Sequence, residues 1–479
     1  MSPARLARLP RLSENHALSP DSNDPKASRR IILPGEEHAP APAEEPPGAE
    51  ATPRIVLPPG SSLAEGQEDL PEYPKLRALE VLPVRSGDQD LILITDPQGV
   101  VRAPLALRIE VLDLLQLLDG TLSLNEISSL VARESKDLRA SRFVRDLIGQ
   151  LDRLLLLDSP RFHEAFDELR DQYHRLEIRQ AALEGVSYPG DPREAEAFVA
   201  RHEEQARAIA AEGQATIATA TQEPRALLVP HLDPRRAGAA IARGYQELPQ
   251  DATEPLRVIV YGVGHALFDD LYALTRKHFE TPFGRLDCDL AFVDSVASRL
   301  GPTAYRSELV HRDEHSVEFQ ALYLRHRFPA RALRLVPLVC GGFHALQANG
   351  LGPRDVPELE ALIAALRDVE REQGGATVHV AAVDLSHVGT RFGDPSVDER
   401  TQQEIEASDR AALDAARRGD AEAWYESIAS RQDATRVCGW AATYLMLRVA
   451  EPGEGRLLHY EQSREGDGSM VTIATMAWP

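Results

Sequence analysis

The sequence is poor in cysteine, in long apolar runs and in positive charge, and each shortage closes off a class of function. Only three cysteines occur among 479 residues: Cys288, Cys340 and Cys438. An odd, sparse set is not a disulfide framework and implies a reducing compartment. No Cys-x-x-Cys pair is present, which excludes a thiolate zinc finger. No apolar run reaches the roughly 20 residues that span a bilayer. Arg5, Arg8 and Arg11 lie near the start without the apolar stretch of a signal peptide. A cytoplasmic protein without membrane contact is expected. Basic residues number 53 against 75 acidic ones, a formal net charge of −22. Phosphate binding rests on Lys and Arg, so a general nucleic-acid binder is excluded.

The chain divides into three stretches. Residues 1–70 are rich in Pro, Glu, Ala and Ser and bury too little apolar surface to offset ordering entropy, so a disordered tail is expected. Within it, Arg30-Ile31-Ile32-Leu33-Pro34 is echoed by Arg54-Ile55-Val56-Leu57-Pro58. The echo reads either as chance in a Pro-rich tail or as a duplicated docking motif. Residues 75–165 form a second unit. Leu91–Thr95 reads as a strand, Asp96–Gly99 as a turn and Val100–Ala103 as the returning strand. Ile109, Leu112, Leu115 and Leu118 have helical spacing, stopped at Gly120. Ser123 and Glu126 make a capping box for a second helix. Phe143, Leu147, Leu151 and Leu154 mark a third. A hairpin plus three helices predicts a small winged-helix-like domain without an obvious basic recognition helix. Residues 166–180 read as a connecting helix.

From about residue 178 to 479, apolar β-branched runs alternate with helical patterns over Ala237–Leu248, Asp269–Thr281, Ser316–Arg327, Val356–Glu372 and Thr401–Arg418. That alternation predicts an α/β fold, a mixed or parallel sheet flanked by helices. Ligands of such folds sit outside the carboxyl ends of the strands. Three runs end there in reactive residues. Leu227–Pro230 leads to His231, Val258–Gly264 to His265, and Val378–Val383 to Asp384 and His387. A fourth run, at Val437, leads through Cys438 into an apolar helix.

Each of these residues has a plainer reading. A lone histidine is more often structural, and the shared strand-end position is what singles out His231 and His265. Gly262 and Gly264 would let backbone approach a bound group closely. Asp384 beside His387 suits tautomer fixing or a general base, or is an ordinary helix cap. Glu314 and His315 open a helix that Ser316 could cap, and are placed for proton transfer. Cys438 reads as a thiolate favoured by a helix N-terminus or as a small buried hydrophobe. Cys288 and Cys340 fit the second reading. His379 falls inside a strand, and His344 is marginal. Imidazoles with a thiolate suit iron(II), copper or zinc.

Pro230-His231, Gly264-His265, Asp313-Glu314-His315-Ser316, Asp384-Leu385-Ser386-His387-Val388-Gly389 and Val437-Cys438-Gly439 stand in the order of the Memo family. Its bacterial members are called AmmeMemoRadiSam system protein B. Gly185–Pro189, Val336–Val339 and Tyr460–Ser463 extend the resemblance over about 178–479. It implies a fold like that of the class III extradiol dioxygenases, with His231, His265 and Cys438 as metal ligands. Fe(II) or Cu is the expected cofactor, with zinc ranked below them. Asp384, His387 and His315 would then line the pocket, and Glu314, from its place at a helix start, joins them as a candidate catalytic residue. Radical SAM and AMMECR-type proteins are the implied partners in a modification system. Leu117–Ile127 resembles PqqD-like domains, which bind peptides, so a peptide substrate is a further expectation.

The sequence departs from the family's pattern beside the ligands. Pro-His-Ala-Gly-Tyr is here Pro230-His231-Leu232-Asp233-Pro234, and Cys-Gly-Arg-His is Cys438-Gly439-Trp440-Ala441. Three functions follow: a metal-dependent redox enzyme, a non-catalytic peptide- or partner-binding protein using the same cleft, and a zinc hydrolase with Glu314 as base.

Overall fold

A computed structural model describes residues 70–479, apart from 87–88, 138, 213–223 and 269. Both copies of the repeated motif, and the rest of the expected tail up to residue 69, lie outside them. The chain separates into two compact units, the first ending at Leu169 and the second running from Arg170 to Pro479.

In the first unit, β1 (Glu80–Ser86), β2 (Gln89–Thr95) and β3 (Leu105–Arg108) form an antiparallel sheet in that order. The returning strand therefore starts at Leu105, not at Val100, because pairing to β2 resumes only after Pro104. β1 was not expected at all. Pro83 interrupts its pattern, and an edge position tolerates a missing N–H. The first helical pattern yields only the short turns Ile109–Val111 and Leu112–Leu115, before Gly120 adopts a φ of 81°. The helix Leu124–Ser135 starts at the expected capping box: the Ser123 side chain accepts from the Glu126 amide, and the Glu126 side chain accepts from that of Ser123. The helix Ala140–Arg153 packs Val144, Leu147, Ile148 and Leu151 onto Ile92, Ile94 and Leu105.

In the second unit, β4 (Ile178–Arg179) pairs with β8 (His278–Phe279). The other strands are β5 (Ala226–Val229), β6 (Leu256–Val263), β7 (Tyr272–Leu274), β9 (Leu333–Cys340), β10 (Ala376–Ala382), β11 (His387–Val388), β12 (Arg456–Arg464) and β13 (Met470–Trp478). They make one eight-stranded sheet in the order β11-β13-β5-β10-β6-β9-β7, with β12 also on β13. Strands β5, β10, β6 and β9 are parallel. β13 runs against β5, and β7 against β9, so the sheet is mixed.

Alternation along the strands sends residues to two cores. Leu228, Ile259, Tyr261 and Ala381 face Leu362, Leu366, Trp440 and Leu445. Leu227, Val229, Val258 and Val260 face Ile241, Tyr245, Phe319 and Leu322. Burial on both faces is what the near-continuous apolar runs require. Helices Pro234–Tyr245, His315–Arg327, Pro357–Gln373 and Glu399–Arg417 stand where the periodicity placed them. The helix expected over Asp269–Thr281 is absent: β7 and β8 occupy that stretch. Tyr272, Ala273 and Leu274 are consecutive and all buried, a run that suits a strand beside β9 better than one face of a helix. No helix among the described residues is long and apolar enough to cross a membrane.

Two buried histidines tie stability to pH. His202 shares a 2.7 Å hydrogen bond with the Tyr323 hydroxyl, and His311 donates to the Ala273 carbonyl at 3.0 Å. Burial lowers both to about 4. The unfolded chain takes up protons near pH 6.5 that the folded chain refuses until about 4, so stability is full above 6.5 and falls between those values. Urea denaturation at pH 5 should show each histidine costing about 2 kcal/mol relative to pH 7. His311→Gln should remove roughly half of that pH dependence. An unchanged slope would contradict the assignment.

Candidate metal centre

His231 forms the floor of the site. It lies two residues beyond β5, whose Val229 pairs with Ala382, the last residue of β10. Its Nδ1 donates to the Ala382 carbonyl at 2.8 Å, which leaves Nε2 as the nitrogen that can carry a lone pair. Asp384, just past β10, accepts the backbone amides of His231 and Leu232 on Oδ1 at 3.1 and 3.2 Å. Its Oδ2 lies 3.7 Å from His231 Nε2. Both side chains are fully buried.

The second wall comes from β6 and the helix His315–Arg327. Glu314 caps that helix, accepting from the Ser316 amide at 2.8 Å. The same carboxylate accepts from His265 twice, from the backbone amide at 3.0 Å and from Nδ1 at 3.0 Å. Burial pushes the Glu314 carboxyl up, but His265, His315 and the Ser316 amide outweigh it and hold it well below the usual carboxylate range. With Nδ1 engaged, His265 presents Nε2. The His315 ring stacks on that of His265 with centroids 4.6 Å apart, and both stand edge-on to His231. The Ser316 hydroxyl clamps β6 instead of capping the helix, accepting from the Val263 amide at 3.0 Å. Gly262 serves the same contact. A Cβ there would lie 2.5 Å from Ser316 Oγ, and one at Gly264 would lie 2.6 Å from Leu267 Cβ. These glycines admit protein neighbours, not the bound group expected from sequence.

The third wall carries Cys438, which no strand positions. The loop before it is laid against the Asp384–His387 segment by backbone bonds. The His387 amide donates to the Thr435 carbonyl at 2.7 Å, and the Gly439 amide to that of Asp384 at 3.2 Å. A Cβ on Gly439 would come within 2.8 Å of the Asp384 carbonyl, which explains the glycine after the cysteine. Asp433 closes the loop on the Val437 amide at 2.7 Å. Ser386 Oγ donates to Asp409, which also receives the Thr472 and Tyr460 hydroxyls. Burial holds Asp409 above the usual range against those three donors. Sequence reasoning passed over Asp409, Asp433 and Thr435. Asp409 sits in a charged helix and reads as solvent-facing there.

Among the described residues, two groups of side chains place their ligand atoms within 4.8 Å of one another: His231, His265 and His315, and His231, Asp384 and Cys438. The three residues implied by the resemblance, His231, His265 and Cys438, all fall within these groups, which share His231. Cys438 Sγ is 3.6 Å from His231 Nε2. His387 stands outside both groups. Its Nδ1 donates to the carbonyls of Leu385 and Arg436, each at 3.0 Å. Cys288 and Cys340 are buried thiols raised by burial, and His379 bonds Tyr261 on β6 and Glu370 on the helix Pro357–Gln373.

The comparisons with known proteins cover both units. A family profile described as Memo-like protein matches residues 179–477. A MEMO1 family protein of Aquifex aeolicus is 25% identical over 409 residues, covering 85% of this chain and 99% of the relative. One from Thermus thermophilus is 29% identical over 348 residues, 72% of this chain and 94% of the relative. One from Methanosarcina acetivorans is 26% identical over 306 residues, 63% of this chain and 98% of the relative. The Aquifex match is longer than the profile's span, so that relative shares sequence with the N-terminal unit as well. A match across most of the second unit, on the strands and loops that build this site, places the chain in the Memo-like protein family.

Proposed function

We propose that this chain is a non-haem metalloprotein that binds iron or copper at the rim of its sheet and carries out redox chemistry on a substrate entering there. The supporting observation is the meeting of nitrogen, sulfur and carboxylate donors around His231 Nε2. That mixture suits iron(II) or copper, with zinc as the redox-inert option. His231, His265, Cys438, Asp384 and His315 are the residues that would hold the ion. Once bound, it would supply Lewis acidity and an electron for oxygen or substrate activation.

The chain's own groups have separate tasks on this reading. Glu314 fixes the His265 tautomer and raises its basicity, as carboxylates behind metal-binding histidines do. Asp384 anchors the two amides after β5 and keeps His231 seated. His387, with its Nδ1 proton committed to two carbonyls, can take up a proton only on Nε2. His265 is partly exposed and Cys438 half-buried, whereas His231 is closed off, so substrate would approach from their side. Glu314 suits the hydrolytic reading poorly, because its oxygens already serve His265 and Ser316. The implied radical SAM and AMMECR-type partners would share this substrate in a modification system.

Elemental analysis after anaerobic purification tests the proposal. Near-stoichiometric iron or copper is expected in the wild type, with a sharp fall in His231→Ala. Oxygen uptake by the iron-loaded protein should be lost in the same variant. A wild type that cannot be loaded would instead make this cleft a peptide- or partner-binding surface. Glu314→Gln, which keeps the shape and removes the charge, should weaken metal binding by about 10–100-fold in chelator competition. Unchanged affinity would remove Glu314 from the site's support.

A further inference from the structure

The fourth parallel strand, β9, also leads to a histidine, and the proposed function leaves it unused. β9 runs beside β6 with Cys340 level with Val263, and the Cys340 carbonyl takes the Gly264 amide at 2.9 Å. Its exit therefore lies on the rim that carries His265. Four residues on, His344 opens the short helix His344–Ala348. Its Nε2 donates to Asp433 Oδ2 at 2.6 Å, which leaves the lone pair on Nδ1. Asp433 belongs to the loop that carries Cys438, and its Oδ1 accepts from the Val437 amide at 2.7 Å. The Trp440 ring, two residues beyond Cys438, stands edge-on to the imidazole with centroids 5.7 Å apart. Gly342 keeps Nδ1 uncovered, since a Cβ there would lie 3.0 Å from it.

Two other histidines are as open, and they show what sets this one apart. His163 meets Asp158 at 2.8 Å and His174 meets Glu308 at 2.6 Å, with 60% and 59% of their side chains exposed against 50% for His344. A lysine shares each of those carboxylates, Lys75 on Asp158 and Lys277 on Glu308. Among the described residues, no Lys or Arg pairs with Asp433, whose side chain is 1% exposed. An imidazole that takes up a proton on Nδ1 balances that buried charge.

Resting on the metalloprotein reading above, we infer that His344, oriented by Asp433, is an acid–base residue of the rim. Through Nδ1 it takes the proton of an O–H or N–H group on the substrate. The electron pair of that bond stays on the substrate. Nε2 keeps its own proton toward Asp433, and the new proton leaves to solvent from the exposed side of the ring. His387 presents the opposite nitrogen, Nε2. The loop before Cys438 thus touches two imidazoles of opposite tautomer, one buried and one open.

Histidine-15N spectra, acylation by diethyl pyrocarbonate and oxygen uptake test this on the full chain. In the wild type the His344 resonances, assigned by their loss in His344→Gln, should show Nε2 protonated and Nδ1 bare. Asp433→Asn keeps the shape and turns an N–H toward Nε2, which should move the proton to Nδ1. Diethyl pyrocarbonate should acylate His344 faster than His163, and Asp433→Asn and Gly342→Ala should each remove that lead. With iron loaded and ascorbate as the O–H donor, His344→Gln should lower kcat by about 100-fold or more, abolish the acid limb of the pH profile and leave iron content at the wild-type level. A proton on Nδ1 in the wild type, acylation no faster than at His163, or an unchanged pH profile in His344→Gln would overturn the proposal. A wild type that holds no iron, or takes up no oxygen with ascorbate, would overturn the metalloprotein reading instead, and the spectra and acylation rates would still decide whether His344 is the base.

Discussion

The hydrogen bond from His231 Nδ1 to the carbonyl of Ala382 is the point from which the site is built. It exists because β5 and β10 are parallel neighbours, with Val229 level with Ala382. That register sets the two strand exits side by side. Asp384, two residues beyond Ala382, can then take up the amides of His231 and Leu232. The bond also chooses the tautomer, so a single nitrogen faces Asp384 and Cys438. A slip of one residue in β10 would turn its alternating side chains to the opposite core and withdraw this carbonyl. The sheet's packing and the histidine's chemistry are therefore one constraint.

Cys438 reaches the site by different means. Its loop holds Gln432, Asp433 and Arg436 at φ values of 54°, 47° and 55°, a region that side chains with a Cβ avoid. Each such residue costs about 1–3 kcal/mol and persists only where its surroundings over-determine it. Here Asp433 grips the Val437 amide, the Thr435 carbonyl takes the His387 amide, and Arg436 pairs with Asp394. These bonds run mostly to the segment after β10, the strand whose Ala382 carbonyl also holds the His231 ring. Glu314 plays the matching part on the other wall, joining β6's exit to the helix that carries His315.

Much of this could be read from the sequence because it is periodic or sits at strand ends. The runs before His231, His265 and Asp384 are too apolar for anything but buried strands, and their shared polar endings mark one rim. The capping box at Ser123 and Glu126 is equally local. What escaped depends on contacts between distant residues. Tyr272–Leu274 looked helical because three buried residues have no period of their own, and β9 made them a strand. Gly262 and Gly264 looked like room for a ligand, and the room was filled by Ser316, Val317 and Leu267. The stacking of the His315 ring on that of His265 is a contact that nothing in its motif shows. The Ala382 carbonyl is backbone, which no residue name can announce.

The strand order has a consequence for a chain made from one end. β5 is the first strand of the large sheet to leave the ribosome, and neither of its neighbours is near it in sequence. β10 arrives only at Ala376–Ala382, and β13 only at Met470–Trp478. β6 meanwhile can pair with β9 as soon as Cys340 has emerged. The sheet would then grow outward from the β6–β9 pair, and β5 would wait with both apolar edges open, the condition under which nascent chains aggregate. The floor of the site would be among the first parts of the large sheet synthesised and the last to be enclosed.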